Sequence, residues 1–264
     1  MNRVRNRVRR SLVVVGPLLV VAFVAACHGG FDPKVYAANS ASLFAASLKE
    51  YNAHHYEDAA KGFEQLSHDL PARDALLPLS YFYLGKSQEK GGDHLLAAQS
   101  FTRISDAFPD DSLAPLSLLE GGRSYAKMWT KPELDATYGK SALDTFQSLL
   151  SLYPDSKLVP QADTALARLD NMFAVKDLNV GEHYLRRKAY DSAIIYLKDV
   201  IKLHPNAPAT RVAYLKLLVA YRAIKYTADA ADLCTAAVKA YPNDREVRQQ
   251  CGSASSAAAS TPRT

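Results

Sequence analysis

A pattern of a small residue, a large apolar residue and a proline recurs five times along the chain. The large apolar residue follows the small one by four positions, and the proline follows eight positions later. The five sets are Ala59, Phe63 and Pro71; Ala97, Phe101 and Pro109; Ala142, Phe146 and Pro154; Ala193, Leu197 and Pro205; and Ala230, Cys234 and Pro242. A spacing of four places two side chains on one face of a helix, and proline cannot continue a helix interior. The pattern therefore predicts five helices that each end just before a proline.

Residues upstream of each set predict a first helix that pairs with it. Gly85 and Gly181 lie 12 positions before the small residues of their sets, and Tyr184 and Tyr221 lie nine positions before theirs. Together these positions resemble the tetratricopeptide (TPR) repeat, whose period is about 34 residues. No segment alternates apolar and polar residues over enough length to predict a sheet. We therefore predict an all-α fold, an α-solenoid of about five TPR helix hairpins near residues 40–73, 78–111, 115–156, 160–207 and 211–244, within a domain of residues 40–248.

Two repeats are longer than the usual period, because successive prolines lie 38, 45, 51 and 37 residues apart. The segment Met128–Gly139 contains Pro132 and predicts a loop inside the third repeat. The segment Pro160–Phe173 keeps helical spacing of apolar residues, so it predicts an extension of the fourth repeat's first helix.

The first 26 residues have the pattern of an export signal. Five arginines precede an apolar run from Leu12 to Val24, and small residues follow that run. This order is typical of a secretory signal, and the run is short for a membrane span. The sequence Val24-Ala25-Ala26-Cys27 resembles a bacterial lipobox, which predicts cleavage before Cys27, a covalent diacylglycerol and N-acyl lipid on Cys27, and a tether over residues 27–39. His28 stands where inner-membrane lipoproteins commonly have aspartate, so the analogy favours the periplasmic face of the outer membrane; the alternative is an ordinary signal that happens to precede a free cysteine.

The charge of the chain bears on its possible partners, and its cysteines bear on a possible disulfide. The chain has 32 basic and 27 acidic side chains, and five of the basic ones belong to the signal. The remaining chain has equal numbers of basic and acidic side chains, which does not favour a nucleic-acid partner.

Cys234 and Cys251 could form a disulfide in an oxidising periplasm, or could be a buried small side chain and a tail thiol. Residues 249–264 are rich in Ala and Ser, and we predict a disordered tail there.

The sequence does not contain the usual catalytic motifs. H-E-x-x-H, G-x-S-x-G and the full phosphate-binding motif G-x-x-x-x-G-K-[ST] are all absent from it, and we predict a protein that is not an enzyme and has no dissociable cofactor. His54, His55, Glu57 and Asp58 lie in the predicted inter-helix turn of the first repeat, where polar residues are expected. We therefore predict no metal site.

The repeat register predicts which side chains line the groove formed by the first helices. In the first two repeats these are Phe44, Leu48, Tyr51, Asn52, Phe82, Lys86, Glu89 and Lys90. An apolar floor beside a cation could hold an extended peptide that ends in an aromatic residue, with its carboxylate at Lys86 or Lys90. The alternative is that these side chains only pack helix against helix.

Three segments carry a family resemblance: Tyr51–Leu66, Ala142–Ser156 and Gly181–Ile201. They resemble the BamD family of outer membrane β-barrel assembly lipoproteins. The resemblance implies a lipid-anchored scaffold that binds the BamA-type barrel insertase and other assembly lipoproteins, and receives unfolded outer membrane proteins. It would place the insertase contact among the C-terminal repeats, with Arg186, Arg187 and Arg222 as the first residues to test. A periplasmic TPR adaptor in cell-envelope or division coordination, or in pilus assembly, is the alternative.

Overall fold

The computed structural model describes residues 30–36 and 38–258, with side chains described as far as Gly252. These residues form a short 3-10 helix at Pro33–Tyr36 and eleven α-helices, and none of them forms a strand. The α-helices are α1 Ser40–Asn52, α2 Tyr56–Asp69, α3 Leu76–Gly91, α4 His94–Ala107, α5 Ala114–Met128, α6 Thr137–Leu152, α7 Val159–Arg186, α8 Tyr190–Leu203, α9 Pro208–Ala223, α10 Thr227–Ala240 and α11 Arg245–Ala258.

Helices α1 to α10 pair into five helix hairpins, and the second helix of each hairpin packs on the first helix of the next. The first helices begin at residues 40, 76, 114, 159 and 208, within three residues of the predicted repeat starts. The predicted all-α TPR solenoid is therefore confirmed as the fold.

Proline sets the end of every second helix. Helices α2, α4, α6, α8 and α10 each stop two residues before the proline of their repeat. The turn that follows is closed by short polar side chains. The Asp74 carboxylate accepts the Leu76 N–H at 2.8 Å, and the Asp111 carboxylate accepts the Leu113 N–H at the same distance. These bonds satisfy backbone donors at the start of the next helix, which fixes where the second and third hairpins begin.

Small residues let the two helices of a hairpin approach closely. A Cβ placed on Gly85 would lie 2.8 Å from the ring of Phe101, and one on Gly181 would lie 2.8 Å from Leu197. Both large side chains are fully buried. The glycine and the large apolar residue that the repeat pattern paired therefore form one packing unit in the second and fourth hairpins.

Both predicted insertions are present. The loop of residues 129–136 separates α5 from α6, and α7 is 28 residues long because it includes the predicted extension. The Lys176 ammonium on α7 donates to the carbonyls of Pro132 and Leu134 at 3.2 and 2.9 Å. These two hydrogen bonds hold the loop against α7 of the fourth repeat.

Helix α7 belongs to two apolar cores. Its N-terminal half contributes Ala162 and Leu169 to the core of the third repeat. Its C-terminal half contributes Ala174 and Leu178 to a core that continues through α8, α9, α10 and α11. The extended helix therefore joins the middle of the solenoid to its C-terminal repeats through continuous backbone.

The predicted disordered tail is wrong for residues 249–258, where α11 continues. Alanine has the highest helix propensity, and Val247 is fully buried against the C-terminal core. Cys251 is bonded to Cys234 of α10, with the two Cα atoms 5.3 Å apart, so the structure decides the open cysteine question in favour of a disulfide. Residues 259–264 lie outside the described residues.

The predictions for the N-terminus fall mostly outside the described residues. The predicted signal of residues 1–26 and the predicted lipidation site Cys27 are not among them. Within the predicted tether, the 3-10 helix Pro33–Tyr36 contacts α1 and α2. No helix in residues 30–36 and 38–258 has both the length and the apolar character that a bilayer span requires.

Candidate functional site

An aromatic cluster joins the first two hairpins. Tyr83 of α3 stands at its centre, with ring centroids 5.9 Å from Phe44, 5.5 Å from Tyr51 and 5.9 Å from Phe82. Its ring also stacks on Phe63 of α2 at 5.4 Å. Three of the side chains predicted for the groove are therefore brought together, through a tyrosine that was not among them. Phe44, Tyr51 and Phe82 are half-buried, so part of each ring packs inward and part faces solvent.

The predicted residue Leu48 lies on the same helix as Phe44 and is also half-buried. Burial raises the pKa of the nearby Tyr51 hydroxyl, and the positive charge of Lys86 acts in the opposite direction. The aromatic cluster and the cation that the sequence predicted beside it are thus close enough to interact electrostatically.

Lys86 itself is held between two carboxylates. Its ammonium lies 2.9 Å from Glu89 on the same helix and 3.2 Å from Glu120 on α5. Glu89 also binds Lys127 at 2.6 Å, and Glu120 also binds Arg123 at 2.8 Å. These five residues form an ion network between α3 and α5. Lys86 is therefore occupied by carboxylates of its own chain.

The network also reaches α7, the first helix of the fourth hairpin, and it shifts the pKa values of Glu89 and Lys86. Arg123 donates to the side-chain oxygen of Gln161 on α7 at 2.8 Å. Burial alone would raise the pKa of Glu89, but hydrogen bonds and charges from Lys127 and Lys86 outweigh it and lower the pKa to about 2. For Lys86, burial lowers the pKa, and its two carboxylate partners reverse that effect and raise it. Both groups are charged throughout the physiological range.

Lys90 differs from Lys86. It is exposed at the end of α3, and it forms no ion pair with any residue in the described part of the chain. Of the two cations predicted to meet a peptide carboxylate, Lys90 is the one whose charge is not already balanced by its own chain.

The three arginines of the predicted partner surface, Arg186, Arg187 and Arg222, make different contacts. Arg186 lies at the end of α7, 3.9 Å from Glu182, which Lys216 of α9 also approaches at 3.2 Å. Arg187 caps the same helix and is exposed. Arg222, at the end of α9, donates to the Gln250 carbonyl of α11 at 2.6 Å. Arg222 therefore holds the C-terminal helix, and Arg186 and Arg187 are the more available pair.

Polar side chains in the first hairpin turn bind residues close to them in the sequence. His55 lies 2.7 Å from Glu50, and Asp58 accepts from Lys61 at 3.0 Å. The described residues contain no group of three or more His, Cys, Asp or Glu side chains placed to hold a metal ion.

Sequence reasoning missed Tyr83 and the acidic and basic residues of α5. One signal could have found the ion network, because Glu89 and Lys127 lie 38 residues apart, the same spacing as Pro71 and Pro109. In a TPR array, residues one repeat length apart occupy matching positions on neighbouring first helices. Opposite charges at that separation therefore predict a bridge between repeats.

Comparison with known proteins places this architecture in a family. The model of the YfiO family, described as an outer membrane lipoprotein, matches residues 36–235. The outer membrane protein assembly factor BamD of Neisseria gonorrhoeae is 26% identical over 204 residues, covering 72% of this chain and 74% of that protein. The protein of the same name from Caulobacter vibrioides is 21% identical over 222 residues, covering 81% and 71%.

A shorter match has higher identity. BamD of Vibrio cholerae is 33% identical over 88 residues, which cover 33% of this chain and 36% of that protein. Among solved structures, a TPR repeats protein of Bacteroides fragilis is 13% identical with a TM-score of 0.49, covering 86% of this chain and 99% of that one. The family match spans well over half the chain, from just before α1 into α10. The resemblance to BamD is confirmed, and this chain belongs to the YfiO family of outer membrane lipoproteins.

Proposed function

We propose that this protein is a lipid-anchored scaffold for the assembly of outer membrane β-barrel proteins, and that it acts by binding, not by catalysis. The observation that carries the proposal is the family match over residues 36–235, a range that begins before the first hairpin and ends in the fifth. Relatives named outer membrane protein assembly factor match most of the same range. A solenoid of hairpins offers an extended surface to other proteins, which suits a scaffold.

The anchor in this proposal is the lipid on Cys27. Cleavage after residue 26 would make Cys27 the first residue, and several acyl chains, at about 0.8 kcal/mol per buried CH₂, would hold the protein at the periplasmic face of the outer membrane. The tether of residues 27–39 would then set the distance between the lipid and α1.

The C-terminal repeats would bind the BamA-type insertase and other assembly lipoproteins. Arg186 and Arg187 support this placement because both are exposed, and neither is engaged by α11. Arginine forms bidentate bonds with carboxylates, so an acidic surface on the partner is the matching chemistry. Arg222 would act indirectly, by holding α11 in place through Gln250.

The N-terminal repeats would receive unfolded outer membrane proteins. The partly exposed rings of Phe44, Tyr51 and Phe82 would hold an aromatic residue of an extended substrate, and Lys90 would meet its carboxylate. This assignment moves the ionic contact from Lys86 to Lys90, because Lys86 already binds Glu89 and Glu120.

The proposal is tested by depletion and by purification of partners. Depletion should lower the amount of folded outer membrane barrels, and the wild-type gene should restore it. Purification from detergent-solubilised membranes should recover a large barrel protein with periplasmic repeats. Unchanged barrel levels would refute the role in assembly, and recovery of peptidoglycan synthases instead would favour the cell-envelope adaptor.

Two variants separate the parts of the proposal. Cys27→Ser should give a folded protein that leaves the membrane fraction, which tests the lipid without altering any described residue. Arg186→Glu with Arg187→Glu should reduce recovery of the insertase while leaving membrane attachment unchanged. The matched control is Arg245→Glu, since Arg245 is an exposed arginine at the start of α11.

A further inference from the structure

Two clefts occur at equivalent places in the solenoid. One, of about 680 Å³, lies between α2 and α4 above α3, and the other, of about 360 Å³, lies between α8 and α10 above α9. Both have the same repeat register, since Tyr81 and Leu84 line the first where Tyr214 and Leu217 line the second. The two clefts therefore share a backbone geometry and differ in side-chain chemistry.

The C-terminal cleft has walls of opposite charge. Lys198 and Lys202, one helical turn apart on α8, form one wall, and Asp229 and Asp232 on α10 form the other. All four are exposed, and none forms an ion pair with another residue in the described part of the chain. Asp229 and Tyr221 both line the cleft. Burial of Tyr221 raises its pKa, and the charge of Asp229 contributes to the same shift.

The floor between the walls is apolar. It is lined by Ile201, Leu217 and Leu233 together with the rings of Tyr214 and Tyr221. Leu217 and Tyr221 are buried, and the other three are partly exposed. A cleft of this size has room for a few apolar side chains but not for a whole helix, so an occupant would insert side chains and keep its backbone above the rim.

The N-terminal cleft lacks this arrangement. Glu64 and His68 stand where the C-terminal cleft has its two lysines, and Leu96 and Gln99 stand where it has its two aspartates. Arg103 occupies the position of Ala236 and lies 5.5 Å above the ring of Tyr81, which it covers. Opposed charged walls are thus a property of the C-terminal cleft and not a consequence of the repeat geometry.

We propose that the cleft between α8 and α10 binds an amphipathic α-helix of a partner protein that carries carboxylates along one edge, basic residues along the other and apolar side chains between. Charges one turn apart on α8 and α10 match side chains one turn apart on a docked helix. An anionic membrane or nucleic acid would meet the aspartate wall and be repelled, which favours a protein helix. The inference stands on the cleft and is independent of the proposed role in barrel assembly.

Three helical peptides with the same leucine-rich face test the proposal. One has a glutamate edge and a lysine edge, one has two glutamate edges, and one has two lysine edges. Fluorescence anisotropy with the full-length protein in detergent measures their dissociation constants. The mixed peptide should bind about tenfold more tightly than either of the others, because each of those places one like-charged edge against a wall.

Charge reversal of one wall should change the preference in a defined direction. Lys198→Glu with Lys202→Glu makes both walls acidic and should favour the peptide with two lysine edges. Asp229→Lys with Asp232→Lys should favour the peptide with two glutamate edges. All four positions are exposed, so circular dichroism should show an unchanged helical fold.

Two further variants control for the location. Ala236→Trp fills the mouth of the cleft and should weaken the mixed peptide about tenfold. Glu64→Lys alters the equivalent position of the N-terminal cleft and should leave all three affinities unchanged. Equal affinity for the three peptides, an unchanged preference after wall reversal, or no effect of Ala236→Trp would overturn the proposal. A different result would overturn the proposal in favour of a lipid surface. In that case the wild-type protein would bind anionic vesicles and not the mixed peptide, and Lys198→Glu with Lys202→Glu would abolish vesicle binding.

Discussion

The indole of Trp129 packs directly against the backbone of Gly139, across the loop that joins α5 to α6. Trp129 is 1% exposed, and its other side contacts Phe173 of α7 at a centroid distance of 4.5 Å. The indole therefore fills the space between α6 and the extended helix α7. The third repeat can hold its inserted loop because this tryptophan anchors one end of it.

Gly139→Ala should destabilise the protein. Any Cβ at position 139 would overlap the indole, and overpacking of a closed core costs about 1–3 kcal/mol. Urea unfolding should show this as a lower midpoint with an unchanged slope. Gly91→Ala is the matched control, because a Cβ at that helical position meets nothing within 4 Å; equal effects of the two substitutions would show that the indole contact is not responsible.

Lys225→Gly should stabilise the fifth hairpin. The turns of hairpins one, four and five place His54, Lys188 and Lys225 at φ values of 65°, 59° and 62°, where the equivalent residue of the second hairpin is Gly92 at 95°. A residue with a Cβ costs about 1 kcal/mol in this left-handed conformation, which glycine adopts freely. The gain should appear as a higher unfolding temperature by calorimetry.

Gly92→Ala makes the opposite change at the matching turn. It should lower stability by about 1 kcal/mol, although no atom lies within 4 Å of its new Cβ. A neutral Gly92→Ala would show that backbone conformation does not control these turns.

Much of the fold follows from local sequence signals. The proline that ends each second helix and the glycine that meets a large side chain act within one hairpin, so a repeated spacing reveals them. The aromatic floor was also predictable in part, since Phe44 and Tyr51 lie two helical turns apart on one face of α1.

Contacts between hairpins were harder to predict. Lys86 reaches Glu120 only because α3 and α5 present matching faces, and charge alone does not reveal that pairing. The C-terminal helix was missed for a different reason. Its composition contains little apolar surface, and the burial of Val247 and the bond from Cys251 to α10 stabilise it at two points.

Reduction of the disulfide should loosen α11 without unfolding the N-terminal hairpins. Cys234 and Cys251 are 17 residues apart, and closing a loop of that size stabilises a protein by about 3 kcal/mol in the chain-entropy account. Hydrogen exchange should accelerate in residues 245–252 on addition of reductant and stay unchanged in α1 to α4. The variant Cys234→Ser with Cys251→Ser should exchange rapidly with or without reductant; rapid exchange confined to the reduced wild type would point instead to a second effect of the reductant.

Glu89→Gln should lower stability at neutral pH and remove part of its dependence on acid. The folded pKa of Glu89 lies at about 2, below its ordinary value of 4.5, because Lys127 and Lys86 outweigh its burial. A lowered folded pKa gives stability that is fully present above about 4.5 and is lost as the pH falls towards 2. Because solvent reaches both ends of the network, we expect a loss of about 1 kcal/mol at pH 7.

The decisive quantity is the difference between Glu89→Gln and wild type as the pH falls. Asp244, bound by Arg211, also has a pKa lowered to about 2, so the wild-type curve alone would mix two groups that titrate in one window. The difference in urea midpoint should shrink steadily below about pH 4.5 and be mostly lost near pH 2, because Glu89 is then protonated in the unfolded chain and about half protonated in the folded one. Glu57→Gln is the control, since Glu57 also pairs with a lysine but its side chain is 89% exposed; it should change stability little at any pH. A gap that stays constant down to pH 2 would mean that Glu89 stabilises the hairpins by packing and not by its charge.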